Sequence, residues 1–96
     1  MSYKLVEHKP YEIIGKTGRK YTLPAMLDLS FDDFEILSKY DNSEDTIEKA
    51  KLSKEILLRI VPGLEDENIR DMEFPNIFLD YLAFNKRQNK KELGEL

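Results

Sequence analysis

The chain has 96 residues, of which 41% are hydrophobic and 35% charged, and its formal net charge is −4. This composition is too apolar for a disordered chain and too charged for a membrane protein, and the length predicts a single domain over residues 1–96. The lack of cysteine excludes disulfides and thiolate zinc sites, and with one histidine we expect neither a histidine-rich metal site nor a Ser/His/Asp triad.

The first quarter of the chain is predicted to be β-structure. Residues 1–7 contain no long apolar core, so we expect neither a signal peptide nor a transmembrane helix there. β-favouring residues at Tyr11–Ile14 and Tyr21–Leu23 flank a glycine-containing connector, which predicts a hairpin over about residues 11–23. Residues 4–6 are a candidate third strand. Pro24 ends the second strand because it has no N–H to donate to a ladder.

The remainder of the chain is predicted to be helical, over about residues 31–40, 44–61 and 75–88. Ser30, with Asp33 three residues later, is a suitable N-cap for the first helix. Residues 41–43 break that helix and cap the next, which Pro62 ends, and Pro75 suits the first turn of the last helix. The fold class expected is therefore α+β, mainly α: an N-terminal hairpin followed by three helices, with residues 89–96 as a flexible tail.

Two predicted helices carry apolar residues outside a single face. At ~100° per residue the second helix has one stripe at Ile47, Ala50, Leu57, Leu58 and Val61, and another at Leu52, Ile56 and Ile60. Such a helix is either central to its domain or packed against another chain, and we favour the central position. The last helix has a main stripe at Ile77, Phe78, Tyr81 and Leu82. The candidates for binding a partner are Leu79, Ala83, Phe84, Leu52, Ile56, Ile60, Met26 and Leu27. Core packing is the alternative for each of them.

No pattern in the sequence predicts catalysis, a cofactor or a metal. Gly15-Lys16-Thr17 matches the end of a phosphate-binding loop, but Pro10 stands where the pattern needs glycine and strand-like residues follow instead of a helix. Most paired carboxylates fall at predicted helix starts, where they favour the helix dipole. The acidic balance, and a basic cluster at residues 86–91 without interleaved aromatic residues, argue against nucleic acid as the main partner. We expect the protein not to be an enzyme.

The order of elements resembles the small tail assembly chaperones of long, non-contractile-tailed bacteriophages. The features that carry the resemblance are Tyr21-Thr22-Leu23-Pro24 leading into Ala25-Met26-Leu27-Asp28-Leu29-Ser30, then a short capped helix, an acidic break, a second helix ending at a proline, and an acidic connector before an apolar helix. The resemblance covers about residues 11–88. It implies a protein that works in the host cytoplasm during assembly and is absent from the mature virion.

The resemblance also implies partners. Such chaperones bind and solubilise the tape measure protein and help recruit tail tube subunits around it, and many have a longer form made by frameshifting, with which Lys90-Lys91 is compatible. Two other classes stay open: a connector or adaptor that remains in the virion, and a small DNA-binding regulator. The sequence also leaves open whether the chain forms a homo-oligomer.

Overall fold

The computed structural model describes Ser2 and residues 9–93, with side chains as far as residue 87. Its elements are strands β1 (Tyr11–Ile14) and β2 (Lys20–Leu23) and helices α1 (Phe31–Asn42), α2 (Thr46–Ile60) and α3 (Phe74–Leu93), with short 3-10 turns at Met26–Asp28, Leu64–Glu67 and Asp71–Glu73. The predicted α+β fold, a hairpin followed by three helices, is confirmed. The candidate strand at residues 4–6 and the last three residues of the predicted tail lie outside the described residues.

The hairpin is antiparallel and tightly closed. Its register pairs Tyr11 with Leu23 and Ile14 with Lys20. The Gly15 N–H donates to the Arg19 carbonyl at 2.7 Å, and Gly18 has a φ of 87°, a conformation that glycine adopts without steric cost. Alternate residues of β2 are buried, so one face of the hairpin lies on the helices.

The predicted cap of α1 is confirmed, whereas the predicted start of α2 is wrong by two residues. The Ser30 and Asp33 side chains each accept a hydrogen bond from the other residue's N–H at 3.3 Å, which is a capping box. The helix then continues to Asn42, and α2 is capped by Asp45 instead of residues 41–43. One Asp45 carboxylate oxygen accepts from the N–H groups of Ile47 and Glu48, at 2.8 and 3.3 Å. The Asp45 carboxylate is a charged acceptor at the positive end of the helix, which explains why Asp45, and not residues 41–43, caps α2.

Helix α3 is longer than predicted, because it begins one residue earlier and continues to Leu93 instead of ending near residue 88. Of the residues added at the C-terminal end, Lys90, Lys91, Glu92 and Leu93 are good helix formers, and no glycine or proline occurs before Gly94. Residues 89–93, predicted as flexible tail, are therefore helical. Among the described residues, no helix is both long and apolar enough to cross a membrane.

Helix α2 is central, as its two apolar stripes predict, since it contacts both α1 and α3. The core gathers residues from the hairpin, all three helices and the connector between α2 and α3, and its fully buried apolar members are Leu23, Ile56, Leu57, Leu64, Phe78 and Tyr81. The ring of Phe78 lies 4.8 Å from that of Tyr40 in an edge-on contact that joins α1 to α3. Ser53 lies fully buried on α2, and its hydroxyl donates to the Ala50 carbonyl at 2.7 Å.

The hairpin loop is fastened to the connector by Glu67. Its carboxylate accepts from the Lys16 N–H at 2.8 Å and from the Tyr21 hydroxyl at 2.7 Å, and the Lys16 ammonium donates to the Asn68 carbonyl at 3.2 Å. A Cβ on Gly15 would lie 2.2 Å from the same carboxylate, so any other residue at this position would displace the Glu67 side chain. At its other end β1 is tied to α3, because the Tyr11 hydroxyl donates to Asp80.

Candidate functional site

The most exposed apolar side chain that the structure describes belongs to Phe31, in the first turn of α1. It is 89% exposed; Leu27, in the 3-10 turn before the helix, is 66% exposed and Phe34 is 36% exposed. Phe31 and Phe34 are three residues apart and therefore neighbours on one face of the helix. We term Leu27, Phe31 and Phe34 the apolar patch. Neighbouring exposed apolar residues, two of them phenylalanines, are typical of a binding surface, whereas single ones are not.

The exposure of Phe31 follows from the geometry of α1. The residues that this helix buries in the core are Ile36, Leu37 and Tyr40, together with Asp33. Tyr40 follows Phe31 by nine residues, which at ~100° per residue places the two on opposite sides of the helix. Phe31 therefore cannot enter the core while the rest of α1 keeps its packing, and its ring stays in contact with solvent.

The apolar patch is surrounded in sequence by carboxylates. From Ala25 to Ser38 the chain has four acidic residues and no lysine or arginine. Three of the acidic residues are exposed, and we term these, Asp28, Asp32 and Glu35, the acidic rim. Within the described part of the chain, Asp28 and Glu35 make no ion pair.

The cation that pairs with these carboxylates is Arg59 of α2, whereas Lys39 stands one turn beyond Glu35 near the end of α1. The Arg59 guanidinium, from α2, donates from Nε to the buried Asp33 carboxylate at 2.6 Å and lies 3.7 Å from Asp32. Burial alone would raise the pKa of Asp33, but the hydrogen bonds from Arg59 and Ser30 outweigh it and hold the pKa below the usual range. Arg59 therefore stabilises the buried carboxylate at the start of α1, and the rim keeps a negative balance.

The turn that carries Leu27 is fixed to α3 by part-buried hydrogen bonds. The Asn85 side chain accepts from the Met26 N–H at 2.9 Å and donates to the Tyr81 carbonyl at 2.8 Å. The Tyr81 hydroxyl donates to the Pro24 carbonyl. Burial, helped by the charges of Asp33 and Asp28, raises the pKa of Tyr81 to about 12, so this hydroxyl keeps its proton at neutral pH. The apolar patch is therefore presented on a fixed backbone.

We expect the Asn85→Ala variant to lose about 1–3 kcal/mol of free energy of unfolding, because the Met26 N–H would lose its acceptor in a part-buried position. Urea unfolding monitored by circular dichroism measures the change. Asn76→Ala is the matched control, since Asn76 is exposed on the same helix, and it should change stability by less than about 0.5 kcal/mol. Equal losses in the two variants would show that the Asn85 bonds do not fix the turn.

A second apolar surface lies between the hairpin and the start of α3. It is a cavity of about 210 Å³ whose apolar walls include Ile13, Ile14, Ile69 and Ile77 together with Leu64, and we term it the isoleucine cleft. Its volume lies below the ~300–1,000 Å³ of most small-molecule sites. Two carboxylates line it, Glu67 and Glu73, and that of Glu67 already accepts hydrogen bonds from Lys16 and Tyr21. A hollow of about 550 Å³ between the end of α1 and the start of α2 is lined entirely by polar and charged residues.

The residues predicted on α2 as partner-binding candidates pack in or against the core. Ile56 is 1% exposed, and Leu52 and Ile60 pack against the core cluster. Because α2 is central, the side of it that faces away from one helix faces the other elements, and this placement favours the core-packing alternative for the stripe. Met26 is likewise packed against the core, whereas its neighbour Leu27 is exposed in the apolar patch.

The residues predicted on α3 do not form one groove. Leu79 is 53% exposed. Phe84 is half-buried, and its ring packs edge-on against that of Tyr11 at 5.4 Å. Five residues separate Leu79 from Phe84, which at ~100° per residue places them about 140° apart around the helix. Ala83 is half-buried, so Leu79 is the one exposed residue of this predicted set.

The sequence analysis missed Phe31 and Phe34 as candidate binding residues. The signal was present, since the angular positions of residues 31–40 separate Phe31 from the apolar stripe of the same helix. The first turn of this helix follows a clear N-cap, and capping alone accounted for its sequence, so the angular positions were compared for the second and last helices.

Among the described residues, no group of three or more histidine, cysteine, aspartate or glutamate side chains is placed to hold a metal ion. Comparison of the chain with family models, with curated proteins and with solved structures gave no match.

Proposed function

We propose that this protein is a tail assembly chaperone of a long-tailed bacteriophage, which binds and solubilises the tape measure protein and helps recruit tail tube subunits. The observation that supports a binding role is the apolar patch, whose Phe31 side chain is 89% exposed beside a core that is already closed. The phage assignment is supported by the resemblance in the order of elements and in the residues around Leu23-Pro24. The site of binding proposed is the apolar patch, with Leu79 on α3 as the competing surface.

A chaperone for a long helical client needs exposed apolar side chains that cover the client's apolar faces, together with charge that keeps the complex in solution. The apolar patch and the acidic rim combine these two properties on one end of α1. The alternatives are a connector or adaptor that stays in the particle, and a DNA-binding regulator. An acidic rim is the wrong charge for phosphates, so DNA would have to bind at another surface.

The first step of the test is to sequence the native gene and the few kilobases that follow it. The proposal predicts a very long coiled-coil reading frame downstream, preceded by an overlapping second frame. The protein encoded by that long frame is then co-expressed with the chaperone candidate, and its soluble fraction is measured. We expect the soluble fraction to rise with the wild-type chain, and a lack of any effect would overturn the proposal.

Two variants locate the binding surface in the same assay. Phe31→Asp should abolish solubilisation of the client, whereas Leu79→Asp should retain it, and both positions are exposed enough for the fold to tolerate the charge. The reverse pattern would assign the client to α3. Detection of the chain in purified particles would favour the connector or adaptor instead.

A further inference from the structure

We propose that the apolar patch and acidic rim bind a cationic amphipathic helix, one whose apolar stripe is flanked by lysine or arginine. The inference names the class of partner for the same surface and rests on the proposed binding role of that surface. Three observations carry it: the composition of the patch, the charges around it, and the pairing of Arg59 with the buried Asp33.

The shape of the patch suits a helix as the partner. Phe31 and Phe34 lie one turn apart on α1, and Leu27 precedes them by one further interval of four residues. A helix lying along α1 presents side chains at the same spacing of three or four residues, so its apolar stripe can cover Phe31 and Phe34, while Leu27 stands in the turn before the helix. α1 has 12 residues, which gives about 18 Å of helix for such a contact.

The charges around the patch determine which kind of helix can bind there. Asp28 and Glu35 have no ion-pair partner among the described residues, and Asp32 is 77% exposed with Arg59 at 3.7 Å. Arg59 is held at 2.6 Å by the buried Asp33, so it does not neutralise the rest of the rim. A lysine- or arginine-flanked helix would place opposite charges at the rim, whereas an acidic helix would meet like charges.

The same charges argue against other occupants. A second copy docked through this patch would place two acidic rims against each other, an arrangement that costs free energy. An anionic lipid surface or a nucleic acid would meet the same repulsion. The partner class that remains is a protein segment with an apolar stripe and basic flanks.

The test uses three synthetic 18-residue peptides with one leucine stripe and, on the remaining faces, lysine, glutamine or glutamate. Binding to the full chain is followed by fluorescence anisotropy at low and high salt. We expect the lysine peptide to bind at least about tenfold more tightly than the glutamate peptide, and its affinity to fall as salt rises. Equal affinities for the lysine and glutamine peptides would overturn the proposal.

Variants of the chain tie the binding to the patch and the rim. Phe31→Ala should weaken binding of the lysine peptide by about tenfold or more, because it removes the central anchor. The double variant D28N/E35Q should weaken binding by about three- to tenfold and flatten its salt dependence. The matched control E55Q/E65Q makes the same change in net charge at exposed positions elsewhere and should leave the affinity unchanged. An equal loss in the control would overturn the proposal, because it would show attraction to net charge alone.

The remaining outcomes separate this inference from the proposed function. Solubilisation of the tape measure protein by a chain that shows no preference for the lysine peptide would refute the cationic partner and leave the chaperone role standing. Tight, Phe31-dependent binding of the lysine peptide without solubilisation of the tape measure protein would support the cationic partner and refute the chaperone role. A wild-type dimer in sedimentation experiments that Phe31→Asp makes monomeric would assign the patch to a second copy and overturn the inference.

Discussion

Replacing Phe78 by alanine will lower the free energy of unfolding by about 3–5 kcal/mol. Phe78 is fully buried, and its ring lies 4.8 Å from Tyr40 and 6.3 Å from Tyr81. The truncation removes the apolar surface that joins α1 to α3 and leaves a cavity between aromatic rings that cannot collapse easily. Urea unfolding at neutral pH measures the loss.

The matched control for Phe78→Ala is Phe31→Ala, which changes the same residue type at the opposite extreme of exposure. Since Phe31 touches little of the protein, its truncation should change the free energy of unfolding by less than about 0.5 kcal/mol. The pair separates the two uses of phenylalanine in this chain, one for folding and one free for a partner. A loss above about 2 kcal/mol for Phe31→Ala would show that its ring contributes to the fold and would remove the basis of the apolar patch.

The second large effect is expected at Ile56, where alanine should cost about 2–5 kcal/mol. Ile56 was a candidate for binding a partner, and its near-complete burial in the centre of α2 makes it a core residue instead. Ile47, on the exposed side of the same helix, provides the control: Ile47→Ala should be within about 0.5 kcal/mol of the wild type. Thermal and urea unfolding of the two variants are compared. A mild effect at Ile56 would mean that α2 can present this side to another chain without opening the core.

The elements could be predicted from the sequence because their signals are local. The capping box of Ser30 and Asp33, the glycines of the hairpin loop and the proline after α2 each act within a few residues. The boundaries that were wrong depend on competition between adjacent signals. Ser43 and Asp45 are both suitable N-caps, and the residue at which α2 begins depends on which of the two side chains aligns with two free N–H groups.

The candidate site could be predicted only in part because exposure depends on the packing of whole helices. Leu27 was identified, but the wheel positions of Ile56 and Phe84 did not reveal that the remaining elements cover both. The position of the hairpin on α3, fixed by Tyr11 and Asp80 across 69 residues of sequence, has no local signal. The acidic residues of the rim are evident in the sequence. Only the structure shows that Arg59 is held by Asp33, so that it does not pair with Asp28 or Glu35.

The hydrogen bonds that tie residues 11–26 to later parts of the described chain reach residues 67–85, and this fixes an order in time. The Tyr21 hydroxyl donates to Glu67, and the Met26 N–H donates to Asn85, which lies 59 positions later in the chain. A two-stranded hairpin alone is marginally stable in water, so a nascent chain that has not reached these residues holds β1 and β2 weakly. The turn before α1 acquires its anchor only when α3 has been synthesised through Asn85. A partner that requires the complete surface is thus recognised only after the chain has been synthesised through Asn85.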